Sequence, residues 1–217
     1  MSRAYFVIGT DTNVGKTYVA AGLVQHFASL GFKTVGMKPV ASGCELSAHG
    51  LLADVLVNAD VTALVNASNM QLPLNWISPY RFLPAIAPHI AAAEAGVEIN
   101  IDLIALAYAQ LAAEAEVVIV EGAGGFFVPL NAEQTLADLA QKLDIPLILV
   151  VGMRLGCINH ALLTVAAIEA RGLKFAGWIA NALEPNMEMF AENLSCLQQR
   201  IAAPCLSVVH WQGSVTL

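Results

Sequence analysis

Charge is scarce in this sequence: Asp, Glu, Lys and Arg make up only 12% of its 217 residues, against 57% hydrophobic. What charge there is leans acidic, formally −7 at pH 7, and the ten basic residues are scattered. That excludes nucleic acid as the main partner, because a phosphate backbone calls for clustered Lys and Arg. Unbroken apolar runs are missing too. The longest apolar region, Ile145–Ile168, is interrupted by Gly152, Arg154, Gly156, Asn159 and His160, well short of the roughly 20 residues that a membrane span needs. The four cysteines (Cys44, Cys157, Cys196, Cys205) form no CxxC pair and have no accompanying His spacing. Neither a zinc site nor a disulfide framework is expected, and reduced thiols in a cytoplasm are. Met1–Ile8 runs straight into a strand pattern with no room for a signal peptide, so the expected location is cytoplasmic.

What is present is alternation. Short apolar runs occur at Ala4–Ile8, Thr34–Val40, Val117–Val120, Leu147–Val151 and Phe175–Ala180, with a weaker one at Leu206–Val209. Between them, Lys16–Leu30, Leu51–Asn66, Ile101–Ala115, Leu136–Leu143, Asn159–Arg171 and Met187–Gln199 have helical spacing or composition. The alternation predicts βαβ units: an α/β fold with a mainly parallel sheet and helices on both faces. Strands buried on both faces also account for the apolar excess. No repeat, low-complexity tract or charge block divides the chain, so one domain over 1–217 is expected. The proline-rich stretch Pro73–Pro88 reads as an ordered excursion within it.

In such sheets, ligands bind outside the carboxyl ends of the strands. Three segments place chemistry there. The first run ends in Gly9-Thr-Asp-Thr-Asn-Val-Gly-Lys-Thr17 and opens a helix at Lys16. A helix N-terminus, free backbone N–H groups and a lysine converge there as a phosphate requires. Gly15 allows close approach, Lys16 carries the charge, and the Thr17 hydroxyl suits Mg²⁺. The match to Gly-x-x-x-x-Gly-Lys-Thr/Ser is imperfect, because Gly9 falls one residue early. The second segment is Glu121, delivered by a buried run and followed by Gly122, Ala123, Gly124 and Gly125. A carboxylate there is costly unless a cation pairs with it, which favours a metal. The third is Met37-Lys-Pro-Val-Ala-Ser-Gly43, which puts Lys38 and Ser42 on the same edge. Two lysines facing one site would balance a triphosphate and an anion attacking it.

Taken together, GTDTNVGKT, KPVASG, VEGAGG and VVGMRLGCINHA resemble dethiobiotin synthetase, with Ser78-Pro-Tyr80, Pro88-His89 and Gly177-Trp-Ile-Ala-Asn181 in support. The resemblance runs from the first strand to about Asn181. It implies a three-layer P-loop NTPase-like fold and a Mg²⁺-dependent conversion of 7,8-diaminononanoate, CO₂ and ATP to dethiobiotin, ADP and phosphate. On this reading the substrate amine captures CO₂ as a carbamate, ATP phosphorylates a carbamate oxygen, and the second amine closes the ring as phosphate leaves. The enzyme's task is then positioning and charge stabilisation.

The resemblance implies roles residue by residue. Lys16 neutralises the β/γ-phosphates, Lys38 holds the carbamate and the transferring phosphoryl group, and Thr12 and Ser42 orient the substrate. Asn13, Val14, Gly15, Lys16, Thr17 and Tyr18 form the nucleotide loop, with Gly122, Ala123 and Gly124 opposite. Thr17, Glu121 and an aspartate hold Mg²⁺; Asn58-Ala-Asp60 matches best, while spacing from Lys38 permits Asp54. Gly156, Cys157, Ile158 and Asn159 bind the substrate carboxylate from the partner subunit of a homodimer, with Cys157 acting through its backbone. His160 is expected to pack or cap. Asn181 reads adenine, covered by His210, Trp211 and Gln212. Ala182 beside Asn181, and a short segment after Pro204, predict loosened base selectivity, with CTP or GTP accepted beside ATP.

Two other readings share the fold. An amide ligase of the cobyrinic acid a,c-diamide synthase type would need an appended glutaminase region, for which this chain is too short. A ParA-type nucleotide-gated ATPase would carry a signature lysine where Asp11 stands.

Overall fold

The computed structural model describes residues 2–47 and 56–216. Six parallel strands form the main sheet: β1 (Arg3–Gly9), β2 (Thr34–Met37), β7 (Val117–Glu121), β8 (Leu147–Met153), β9 (Phe175–Ala182) and β10 (Cys205–Val209), in the order β10-β9-β8-β1-β7-β2. Strand β1 is central, with Phe6 opposite Val120 on one side and Leu147 on the other.

Side chains on these strands alternate between two cores, as the two-residue period of a strand demands. Phe6 and Ile8 enter one core while Val7 enters the other; on β8, Leu147, Leu149 and Val151 part in the same way from Ile148 and Val150. Helices α1 (Lys16–Ser29) and α2 (Ala59–Ala67) cover one face, through Val19, Leu23 and Leu64. Helices α5 (Ile101–Glu114), α6 (Leu136–Leu143), α7 (Cys157–Ala170) and α8 (Phe190–Arg200) cover the other, through Ile104, Leu139, Val165 and Leu197. The three-layer α/β expectation is met.

Helix α6 starts where the Thr135 N–H and hydroxyl both donate to Asp138 Oδ2, at 2.7 and 2.6 Å. Arg171, at the end of α7, pairs with Asp138 Oδ1 at 2.8 Å and lies over the Phe127 ring. None of the described helices is long and apolar enough to cross a membrane.

Two expected elements differ. The Thr34–Val40 run is not one strand. The Lys38 N–H leaves the main sheet to donate to Ile77 O at 2.8 Å, Pro39 has no N–H to offer, and Val40–Ser42 (β3) pairs with Tyr80–Phe82 (β6) instead. Of the expected Leu51–Asn66 helix, residues 51–55 lie outside the described residues, and the described part is helical only from Ala59. Ahead of it, Leu56–Val57 (β5) pairs antiparallel with Glu45–Leu46 (β4), and Asn58 caps α2. The Pro73–Pro88 stretch is ordered, holding α3 (Leu74–Ile77) and β6 before α4 (Pro88–Glu94).

Candidate active site

The phosphate loop leaves the end of β1 and enters α1 at Gly15, whose φ of 86° is one that only glycine adopts readily. A Cβ there would stand 2.1 Å from Asn181 Nδ2, which donates to Val14 O at 2.9 Å. Asn181 at the end of β9 thus braces the loop from behind. Asn13 also adopts positive φ, 59°. Lys16 is buried, and its Nζ donates to the Asp11 carbonyl at 2.7 Å. Asp11 shapes the same turn: its Oδ1 accepts from the Thr12 N–H at 2.7 Å and its Oδ2 pairs with Arg154 at 2.5 Å.

Beside the loop lies a charge cluster. Glu121 is the last residue of β7 and is 1% exposed. Its Oε1 accepts from the Thr17 hydroxyl at 2.7 Å and from Lys38 Nζ at 2.5 Å. Lys38 Nζ also reaches Asp60 Oδ2 at 3.0 Å and Gly122 O at 3.3 Å. Asp60 is held in place by Asn58. The Asn58 carbonyl side-chain oxygen accepts from the Asp60 and Val61 N–H groups, and its Nδ2 donates to Ser42 O at 3.1 Å. One asparagine therefore ties the helix bearing Asp60 to the strand bearing Ser42.

The charges shape one another. Burial, then the neighbouring Lys38 ammonium, lowers the Lys16 pKa to about 8. Burial also pushes Lys38 down, but Glu121 and then Asp60 outweigh it and hold its pKa above the ordinary lysine value. Burial pushes Asp60 up; Lys38, hydrogen bonds and Lys16 bring it below the ordinary carboxylate value. All these groups open on one cleft of about 770 Å³.

Within that cleft the structure brings together Thr12, Asn13, Gly15, Lys16 and Thr17 with Lys38, Ser42, Asp60, Glu121, Ala123 and Gly124. Two buried oxygens there, Ser42 Oγ and Glu121 Oε2, have no hydrogen-bond partner among the described residues. Such atoms are rare unless a ligand, ion or water satisfies them. The donor set suits a hard divalent cation, which takes carboxylate and hydroxyl oxygens. Two lysines against two carboxylates also leave no net positive charge for a triphosphate. The residues fit Mg²⁺.

Other expected residues lie outside this cleft. Val14 is buried under the loop, and Tyr18 donates from its hydroxyl to Gly213 O at 2.7 Å, beside a second hollow along α1. Gly122 offers its carbonyl to Lys38 from below. His210 and Trp211 line a separate hollow of about 550 Å³ with Ala182, Glu184 and Phe190, and Gln212 sits in the turn that follows at φ 56°. Gly156 caps α7 at φ 93°; the helix begins at Cys157, two residues before the expected start. Cys157 is buried, Ile158 half-buried and Asn159 exposed; His160 is exposed, not packed. Asp54 lies outside the described residues.

Sequence reasoning missed three contributors. Asn58 carried an N-cap signal, an asparagine just ahead of a helical segment. The Asp11–Arg154 pair spans 143 positions, beyond any local pattern. The Ala85, Ile86 and Pro88 wall of the cleft left no signal beyond its proline.

A family model described as an AAA domain matches residues 3–216. The ATP-dependent dethiobiotin synthetase BioD of Nitrosospira multiformis is 49% identical over 209 residues, covering 96% of this chain and 88% of its own. The BioD of Aromatoleum aromaticum is 52% identical over 207 residues, covering 95% and 90%. This chain belongs to the dethiobiotin synthetase family. It is an enzyme of that family's kind, a ligase of the cyclo-ligase class that uses ATP. Solved structures carry the fold further afield. MinD from Pyrococcus horikoshii, complexed with Mg-ADP, is 18% identical with a TM-score of 0.57, covering 97% of this chain and 82% of that one. A ParA family ATPase from Chlorobium tepidum gives 13% and 0.57, covering 98% and 86%. At such identity the likeness is one of fold, and it agrees with the parallel α/β sheet that the alternating pattern predicts and the P-loop NTPase-like fold that the resemblance implies.

Proposed function

We propose that this enzyme carries out ATP- and Mg²⁺-dependent ring closure of 7,8-diaminononanoate with CO₂, forming dethiobiotin, ADP and phosphate. The observation that carries the reading is the meeting of Lys16, Lys38, Ser42 and the Asp60–Glu121 pair in one cleft. A plain ATPase needs the loop and a metal site. It does not need a second buried lysine in the same cleft as a serine hydroxyl that has no partner among the described residues.

One substrate amine adds to CO₂ and loses a proton, giving a carbamate. A carbamate oxygen attacks the γ-phosphorus, the bond to the β-phosphate oxygen breaks, and ADP leaves. The second amine then attacks the carbamic–phosphoric carbonyl carbon, phosphate departs, and a proton is released. Lys16 exchanges its contact with the Asp11 carbonyl for the β/γ-phosphates, and the backbone N–H groups from Asn13 to Tyr18 surround them. Lys38 lines the cleft beside the two carboxylates, and its ammonium neutralises the carbamate and the moving phosphoryl group. Ser42 and Thr12 hold the nitrogen end in line. Thr17, Asp60 and Glu121 would hold Mg²⁺, which when bound supplies charge stabilisation to the phosphate oxygens.

The hollow beside His210 and Trp211 supports a base site there, with Asn181 fixing its approach to the loop. The Gly156–Asn159 segment at the start of α7 does not line its own chain's cleft, and Leu155 next to it is 98% exposed. Both support a homodimer in which a partner's turn meets the substrate carboxylate. The whole is read as one cytoplasmic domain. Phosphate release with and without diaminononanoate and bicarbonate, with mass spectrometry for a cyclic urea, tests the proposal. Release dependent on both additions supports it; release independent of them refutes it.

A further inference from the structure

The carboxylates assigned to Mg²⁺ already have a cation. Lys38 Nζ sits 2.5 Å from Glu121 Oε1 and 3.0 Å from Asp60 Oδ2. The Thr17 hydroxyl donates to that same Oε1 at 2.7 Å. Every residue expected to ligate the metal is therefore the ammonium's partner or a partner's partner. Lys38 is only 4% exposed and Glu121 1%, so water screens little of that pair's attraction, while the Asp60 side chain is 41% exposed.

A divalent ion could take Glu121 Oε2, which has no partner among the described residues, but it would then lie close to the ammonium. At a few ångströms their repulsion is severe even with an effective dielectric constant of about 20. Nor can the ammonium leave without another anion, because an uncompensated buried charge is costly. The cleft offers a place for that anion on the Ser42 side, where a hydroxyl oxygen has no partner among the described residues.

We propose that Lys38 is an internal competitor for the divalent cation, holding Asp60 and Glu121 until metal and anionic substrate arrive together. The protein alone then binds metal weakly, and the ion enters with the nucleotide. Metal entry frees the ammonium for the anion that accepts the phosphoryl group. This rests on the metal assignment above and adds to it an order of events: Lys38 is charged against the carboxylates first and against the substrate second.

The test is Mn²⁺ binding to the full nucleotide-free chain, read by electron paramagnetic resonance and calorimetry. Wild type is compared with Lys38→Met and Lys38→Gln; the glutamine keeps a hydrogen-bond donor for Glu121 if methionine leaves the fold unstable. Removing the ammonium should tighten Mn²⁺ binding by on the order of tenfold or more. Adding Glu121→Gln to either variant should abolish the gain. Equal Mn²⁺ affinity in wild type and variants overturns the proposal, as does a gain that survives Glu121→Gln, which would put the ion elsewhere. Cyclic urea formation by the wild type is assayed in parallel. Its failure would remove the reaction assigned above and leave the Mn²⁺ comparison to be judged alone.

Discussion

Placing a methyl group on Gly15 tests the bracing of the phosphate loop by Asn181. Gly15 has φ 86°, and its Cβ would lie 2.1 Å from Asn181 Nδ2. Forcing an alanine into left-handed backbone costs about 1–2 kcal/mol. The amide must also move, and it surrenders its 2.9 Å bond to Val14 O, about 1 kcal/mol or more for a buried pair. Gly15→Ala alone should therefore lower stability by about 2–4 kcal/mol. Asn181→Ala alone loses the hydrogen bond and strands the Val14 carbonyl, about 1–3 kcal/mol. In the double variant the clash is gone and the bond is lost only once. Its cost should fall short of the sum by about 1–2 kcal/mol, a coupling expected of residues in contact. Urea unfolding of the four proteins reads the cycle directly. Costs that add to within about 0.5 kcal/mol would refute the reasoning, because independent sites behave that way.

Lys16, with a pKa of about 8 against 10.5 unperturbed, is charged below about pH 8 and increasingly neutral above it. Affinity for an ATP analogue measured by calorimetry should fall as pH rises through about 8, and in Lys16→Met it should be weak and flat. Asp138 behaves oppositely. Burial acts against its charge, but Thr135 and Arg171 hold its pKa at about 2, so its stabilisation is present above the ordinary 3.8 and lost as pH falls toward 2. Asp138→Asn should remove roughly 1–2 kcal/mol of the wild type's loss between pH 5 and 2 in urea titrations. Gly22 lies under Val215, where an added Cβ would stand 2.6 Å from the valine; Gly22→Ala should gain helix propensity yet lose net stability by about 1 kcal/mol. In a Val215→Gly background, which lacks the clashing Cβ and Cγ2, the same change should be stabilising by thermal melt.

The elements that set this site were legible where one physical pattern ruled. Ala4–Ile8 is a run of apolar residues ended by glycine, and β1 extends it by one residue at each end. Lys16 opens α1 as its place after Gly15 implied. Glu121 stood out because a carboxylate at the end of a fully apolar run has no cheap explanation but a cation. The misses come from competing forces. Thr34–Val40 reads as one strand, yet Pro39 removes a donor and turns Val40–Ser42 toward a partner forty residues on. Leu51–Asn66 has helical composition, but in its described part Leu56 and Val57 pair with Leu46 and Glu45, and Asn58 caps the helix that follows. The Lys38–Asp60 and Asp11–Arg154 pairs depend on which loops meet at the sheet edge, and spacing along a chain does not encode that.

Activation of a carbamate by ATP in this cleft is tested most directly by oxygen labelling. Bicarbonate carrying ¹⁸O is supplied with diaminononanoate and unlabelled ATP, and the phosphate and ring product are weighed by mass spectrometry. Transfer through a carbamic–phosphoric anhydride predicts one labelled oxygen in each phosphate released and one in the cyclic urea, with neither formed by Lys38→Met. Cyclic urea accompanied by unlabelled phosphate would contradict it.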